Sequence, residues 1–223
     1  MVFKKTTSPH EGSKFLSDSL NNALRRNQNT AWFVSGGSNI QIAIEVQKSL
    51  ISVPEGKLRI LLIDERFGPV NHPNSNYFQL KQAGFDITNL EPVLSEKHNV
   101  DETVSYYDKY VKETIQWADL TIGQFGIGLD GHTAGILPQS PLSLDITESY
   151  FAGYQASDFF RLTMTLAGIR ILSAAIAYAY GESKKEQIMK LHDQNLPIST
   201  QPAQVFKQHK EAYIINDMIG ELI

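Results

Sequence analysis

His132 is the residue best suited to chemistry near neutral pH, because imidazole is the side chain whose ordinary pKa lies in that range. It stands in Gly126-Ile127-Gly128-Leu129-Asp130-Gly131-His132-Thr133-Ala134-Gly135, which sets one carboxylate and one imidazole among four glycines. The apolar segment Ala118 to Phe125 leads into this run, and Leu137-Pro138 ends it. A strand that runs into a glycine-rich loop at the carboxyl edge of a sheet is where open α/β folds hold ligands. Glycine there permits positive φ or a close approach of backbone. Gly126, Gly128 and Gly131 also spell the G-x-G-x-x-G of a dinucleotide site. That reading needs a helix of normal length opening at Gly131, and Pro138 would break it. Taken by itself, the run also fits a plain turn in which Asp130 caps a short helix and His132 is partly buried.

A second candidate is Ser35-Gly36-Gly37-Ser38, between the apolar run Ala31 to Val34 and the helically spaced Ile40, Ala43, Ile44, Val46 and Leu50. Strand, glycine loop and helix in that order present free N–H groups and the positive end of a helix dipole, which is an anion site. Ser35 and Ser38 add hydroxyl donors. The Gly-Lys-Ser/Thr ending of a nucleotide P-loop is missing, which argues against triphosphate chemistry; a serine-capped turn is the plain alternative. The third candidate is Asp64-Glu65-Arg66. It ends Leu58 to Ile63, an apolar stretch broken only by Arg59 and suited to a buried parallel strand. Three charges in that place seldom serve packing, although a solvated strand end leading into Pro69 and His72-Pro73-Asn74-Ser75-Asn76 would look the same. His72 and His98 lack the spacing of metal ligands and read as surface residues, so no metal site is expected.

Composition limits what these loops can serve. A chain of 223 residues with 42% hydrophobic content can bury one substantial core, and residues 1–223 are expected to form a single α/β domain. Without cysteine there is no disulfide framework and no thiolate chemistry, which suits a reducing, cytoplasmic setting. Met1 to Thr7 carries two lysines and no apolar core, unlike a leader. No stretch reaches the ~18 apolar residues of a membrane span. The net charge of −4 argues against nucleic acid and acidic membranes as partners. A bound anion must therefore find its positive charge locally.

The remaining chain supplies the frame. Ser8-Pro9-His10-Glu11 reads as the capping box of a helix reaching about Arg26, with Phe15, Leu16, Leu20, Ala23 and Leu24 near one face. Short helices are expected from Tyr77 to Gly84 and from Gly181-Glu182-Ser183-Lys184 to His192, and a longer one from Asp101 to Trp117. Strands are expected at Asp119 to Phe125, Tyr150 to Tyr154, Arg161 to Leu166, Ala174 to Tyr180 and Ala212 to Ile215. Alternating strands and helices predict a three-layer α/β/α sandwich with a mostly parallel, Rossmann-like central sheet.

Four patches together resemble the 6-phosphogluconolactonase family, in the same order, over about Ala31 to Asp217. They are Ser35-Gly36-Gly37-Ser38; Asp64-Glu65-Arg66 with Ser75-Asn76; the Asp130-Gly131-His132-Thr133-Ala134 loop; and Arg161-Leu-Thr-x-Thr165 with Gly181-x-x-Lys184. The resemblance implies hydrolysis of 6-phosphoglucono-δ-lactone, a small phosphorylated sugar lactone, without a cofactor, by a monomer or weak homo-oligomer. It implies His132 as general base, Asp130 as its support and Asp64 as a further catalytic residue. Glycine-loop N–H groups would hold the oxyanion, and the phosphate would lie on Gly36, Gly37 and Ser38 with Arg161, Lys184 and Arg66 as cationic contacts. Leu129 stands where many members carry glutamate, and Gly135-Ile136-Leu137-Pro138-Gln139 replaces Ser-Leu-Phe-Pro-Gly, which alters loop shape.

The glucosamine-6-phosphate deaminases share the Ser-Gly-Gly and Asp-Gly-His blocks, so an isomerase or deaminase is the alternative. That family carries a supporting glutamate five residues after the histidine and a tyrosine after Asp-Glu; here those positions are Leu137 and Arg66. A sugar-phosphate-binding module without catalysis is the third reading, and the presence of His132 counts against it.

Overall fold

The computed structural model describes residues 1–222. The chain opens with β1 (Val2–Lys5) and α1 (Pro9–Arg25), whose first turn is capped by the Ser8 hydroxyl accepting the Glu11 N–H. The Glu11 carboxylate departs from the expected box: it accepts from the backbone and hydroxyl of Thr7 instead of Ser8. β2 (Thr30–Val34), a single 3-10 turn (Gly37–Asn39) and α2 (Ile40–Lys48) follow. Next come β3 (Leu58–Leu62), β4 (Asp64–Arg66), α3 (Asn76–Gln82) and β5 (Leu90–Glu91). α4 (Val100–Trp117) leads to β6 (Leu120–Gly126), which ends in the His132 loop. The second half adds β7 (Phe151–Gln155), β8 (Phe160–Met164), α5 (Leu166–Ile171), β9 (Ala174–Ala179) and α6 (Lys185–Asp193). A 3-10 segment (Pro202–Gln208), β10 (Ala212–Asn216) and β11 (Glu221–Leu222) complete it.

Eight strands form one sheet in the order β11-β1-β10-β9-β6-β2-β3-β5, and every pairing in it is parallel. β2 and β3 are apolar except Thr30 and Arg59, as strands covered on both faces should be. Trp32, Phe33, Phe125 and Tyr178 fill the layer beneath the helices and are fully buried. The strand order turns back between β2 and β6, which is where such a sheet opens a crevice beyond its strand ends. Among the described residues no helix is long and apolar enough to cross a membrane.

Three findings differ from the sequence expectation. The runs at Tyr150 to Tyr154 and Arg161 to Leu166 do not join the parallel sheet; with β4 they make a separate antiparallel sheet in the order β4-β8-β7. The link between β7 and β8 is closed by the Ala156 N–H donating to Phe159 O, and a connection so short permits antiparallel pairing where parallel pairing needs a crossover. The second difference is β1, β5 and β11, unmarked in the sequence because they are brief and carry charge. The third is α5, which begins where the Thr165 hydroxyl accepts the Gly168 N–H and shortens the expected strand.

Candidate active site

The four neighbouring strands β9, β6, β2 and β3 each deliver one sequence patch to the carboxyl edge of the sheet. A cleft of about 420 Å³ opens there. Its wall takes Ser35 to Asn39 from the loop after β2, Asp64, Arg66 and Asn76 from beyond β3, Gly126 to Asp130, His132 and Ala134 from the loop after β6, and Lys184 from beyond β9. Of the residues given a catalytic or phosphate-binding role from the sequence, Arg161 alone is not brought to this wall.

The loop after β6 is folded on itself. Gly128 N–H donates to His132 O at 2.8 Å, and Gly131 N–H donates to Gly128 O at 3.1 Å. The Thr133 hydroxyl donates to Gly126 O at 2.9 Å. No helix opens at Gly131, so neither the dinucleotide reading nor a short capped helix applies. A Cβ on Gly128 would lie 2.1 Å from His132 Nδ1, so the ring occupies the space that glycine leaves. Ala134 has φ of 52°, the left-handed region that alanine enters at a cost. The small sheet holds the loop in this shape: Tyr154 of β7 donates to Gly135 O at 2.8 Å, and Thr163 of β8 accepts from Gly135 N–H at 2.9 Å.

Asp130 orients the imidazole. Its Oδ1 accepts from His132 Nδ1 at 2.6 Å and from the His132 backbone N–H at 3.1 Å. Burial pushes the Asp130 carboxyl up, but these bonds outweigh it and hold the pKa at about 2, so the group is a carboxylate at neutral pH. With Nδ1–H given to Asp130, Nε2 is the nitrogen left to take a proton. Of the loop N–H groups expected to hold an oxyanion, those of Gly128, Gly131 and Gly135 already have acceptors within the protein.

The loop after β2 keeps its N–H groups differently. Gly37, at φ of 61°, turns the chain into the 3-10 segment that runs into α2, and the first N–H groups of such a turn have no partner within it. The Ser35 hydroxyl is not a free donor as expected; it donates to Gln124 O at 2.8 Å. A Cβ on Gly36 would lie 2.2 Å from Asn76 Oδ1, so this glycine admits the buried Asn76 side chain. Asn76 in turn joins two charges: its Nδ2 donates to Asp64 Oδ2 at 3.1 Å, and its Oδ1 accepts from Arg66 Nη1 at 2.9 Å.

Asp64-Glu65-Arg66 is therefore not a solvated strand end. Glu65 is buried and accepts from the N–H groups of Arg66, Asn76 and Tyr77 and from the Ser75 hydroxyl. Burial raises its pKa while these bonds act the other way. A carboxyl on the first N–H groups of α3 caps that helix, so Glu65 fixes where Asn76 stands. His72, expected at the surface, is half-buried and its Nε2 lies 2.9 Å from Arg66 O.

Two cations remain. Lys184 Nζ donates to Ile127 O; burial lowers its pKa and Asp130 opposes that fall. A lysine has three donors, so two are left for a ligand. Arg161 lies opposite Arg66 across the β4–β8 pair, but its Nη2 donates to Asp158 Oδ2 at 2.7 Å. The Nε of Arg66 and of Arg161 are both buried without a partner. Among the described residues no group of three or more His, Asp or Glu side chains is placed to hold a metal ion.

Residues 5–215 match the family model described as glucosamine-6-phosphate isomerases/6-phosphogluconolactonase. The chain is 24% identical to 6-phosphogluconolactonase of Helicobacter pylori over 202 residues, covering 86% of this chain and 85% of that one. It is 25% identical to the rabbit GDH/6PGL endoplasmic bifunctional protein, of which it covers 22%. A 6-phosphogluconolactonase from Shewanella baltica shares the fold with a TM-score of 0.78 at 17% identity, covering 97% of both chains. A monomeric glucosamine-6-phosphate deaminase shares it equally, with a TM-score of 0.78 at 16% identity over 98% of both.

Proposed function

The chain belongs to the glucosamine-6-phosphate isomerase/6-phosphogluconolactonase family, and from that premise we propose that it hydrolyses 6-phospho-D-glucono-1,5-lactone to 6-phospho-D-gluconate, a step of the oxidative pentose phosphate pathway. The observation that carries this reading is the oriented His132–Asp130 pair facing, across one cleft, a glycine loop flanked by Arg66 and Lys184. The fold does not choose between the family's two activities, since both kinds of protein share it. The residues do. Leu137, five places after His132, carries no charge and cannot support an imidazole, whereas ring opening of an amino sugar needs a further acid–base group.

Ester hydrolysis asks less of the site. His132 Nε2 takes a proton from water as its oxygen attacks the lactone carbonyl, and the carbonyl electrons move onto oxygen. When that intermediate collapses, the ring C–O bond breaks and the same nitrogen returns the proton to the leaving oxygen. Asp130 keeps the ring in one orientation and stabilises its protonated form. Asp64, held by Asn76, is assigned to the sugar side of the cleft. The phosphate is assigned to Gly36, Gly37 and Ser38 with Arg66 and Lys184. Arg161 does not line the cleft, and its Nη2 is held by Asp158.

The test follows freshly generated 6-phosphogluconolactone against its spontaneous hydrolysis, with and without protein, and assays ammonia from glucosamine 6-phosphate in parallel. Faster loss of lactone without ammonia is expected. Ammonia release at a comparable rate would replace this reading with the deaminase.

A further inference from the structure

Behind the His132 loop lies a group of glutamines that the chemistry above does not use. Gln187, Gln201 and Gln204 are 8%, 1% and 4% exposed, and none of them lines the cleft. A buried amide is costly unless its donors and acceptor are matched. Here they are matched to one another. Gln201 Nε2 donates to Gln187 O at 2.9 Å and to Gln187 Oε1 at 3.1 Å. Gln201 Oε1 accepts from Gln204 Nε2 at 2.7 Å, and that same nitrogen reaches Gln194 O at 3.0 Å.

The chain of amides joins two parts of the site. Gln187 lies in the first turn of α6, the helix whose N-cap residue is Lys184. Gln201 lies under the residue before His132: a Cβ on Gly131 would fall 2.6 Å from Gln201 Cγ and 2.8 Å from Gln187 Oε1. Gly131 O also accepts the Ala203 N–H at 3.1 Å, two residues beyond Gln201. Apolar side chains could fill this volume without any amide to satisfy. Amides instead add direction, because a matched buried network has one low-energy arrangement.

We propose that Gln201 is a positioning residue: by bonding α6 while packing under Gly131, it fixes the separation between the His132 imidazole and the Lys184 ammonium. This deepens the lactonase reading and rests on it for the meaning of kcat. Displacement of a reacting group by 1 Å costs on the order of 10² in rate, so a partial loosening should lower kcat about tenfold. Affinity for the phosphate, to which Gly36, Gly37, Ser38 and Arg66 are assigned besides Lys184, should change less than kcat.

The experiment compares wild type, Gln201→Met, Gln187→Met and the double variant. Methionine keeps the length and volume and removes the amide. In Gln201→Met kcat is expected to fall about tenfold and in Gln187→Met less, since the bond to Gln187 O survives there, with KM and the dissociation constant of 6-phosphogluconate within about threefold of wild type. The double variant is expected to be no worse than the worse single one, as for two ends of a single contact. The His132 Cε1–H proton resonance, assigned by its loss in His132→Ala, is expected to shift or broaden in ligand-free Gln201→Met. A purely structural role would lower the melting temperature and leave that resonance in place. An unmoved resonance with wild-type kcat overturns the proposal, and so does a loss confined to KM. Should Gln201→Met fail to fold, Gln187→Met is read in its place: it removes the bond to Gln187 Oε1 and leaves the one to Gln187 O, so a smaller shift or broadening of the same resonance is expected, and none overturns the proposal. If wild type does not hydrolyse the lactone, the functional reading fails, while the resonance in the variants still decides whether Gln201 positions His132.

Discussion

Two glycine-rich loops leave adjacent parallel strands at the same edge of the sheet, and they use glycine in opposite ways. After β2, Gly37 takes positive φ in open space and turns the chain into a helix, and the first N–H groups of that turn have no partner within it. After β6, Gly128 and Gly131 direct their N–H groups inward, and Gly128 makes room for the His132 ring. The first loop is the one to which we assign the phosphate; the second is a mount for one side chain. What separates them is where the N–H groups go, and a glycine count does not report that.

The largest effect should come from the mount. His132→Ala is expected to lower kcat by about 10² to 10⁴, the usual share of general base catalysis. Binding of 6-phosphogluconate, measured by calorimetry, should stay near wild type. Retained kcat in a folded variant would end the assignment.

Next is a matched pair of glycine substitutions. Gly128→Ala drives a methyl into the imidazole, so a displacement near 1 Å and a loss on the order of 10² in kcat are expected. Gly37→Ala meets no atom and carries only the left-handed strain, about 1 kcal/mol of stability. If kinetics and thermal melts show equal losses of kcat and stability in the two variants, the contrast between the loops is wrong.

The cations sharpen the comparison further. Arg66→Ala should weaken binding of the phosphorylated product by roughly ten- to a hundredfold, from about 1.5 to 3 kcal/mol for a charged hydrogen bond, and leave kcat nearly unchanged. Lys184→Ala should weaken binding similarly and also lower kcat, because Lys184 holds Ile127 O of the mount. An unphosphorylated lactone distinguishes the two roles: Arg66→Ala should barely alter its hydrolysis.

The smallest effect is on stability at acid pH. Asp130 has a folded pKa of about 2, below its unfolded value near ~3.9, so its contribution is present above pH ~4 and is lost as pH falls towards 2. The side chain is half exposed, so solvent screening keeps the contribution modest. Urea midpoints of wild type and Asp130→Asn should therefore differ at pH 5 and converge near pH 2. A constant gap would place the effect elsewhere.

Much of this was legible in the chain itself. Turn chemistry and periodicity act over a few residues, so Ser8 at the start of α1, the apolar runs of β2, β3 and β6, and both glycine loops could be read locally. So could the absence of a helix between Gly131 and Pro138. Tertiary structure decided what depends on distant partners. Whether an apolar run pairs parallel or antiparallel is set by its neighbour, so β7 and β8 were read as strands and placed in the wrong sheet. Whether a polar side chain is free or engaged is set by acceptors far away in sequence. That is why Ser35 proved bound to Gln124 and Glu65 to the cap of α3. The glutamines behind Gly131 gave no signal at all, since an amide residue in a polar segment looks the same whether solvent or a buried partner satisfies it.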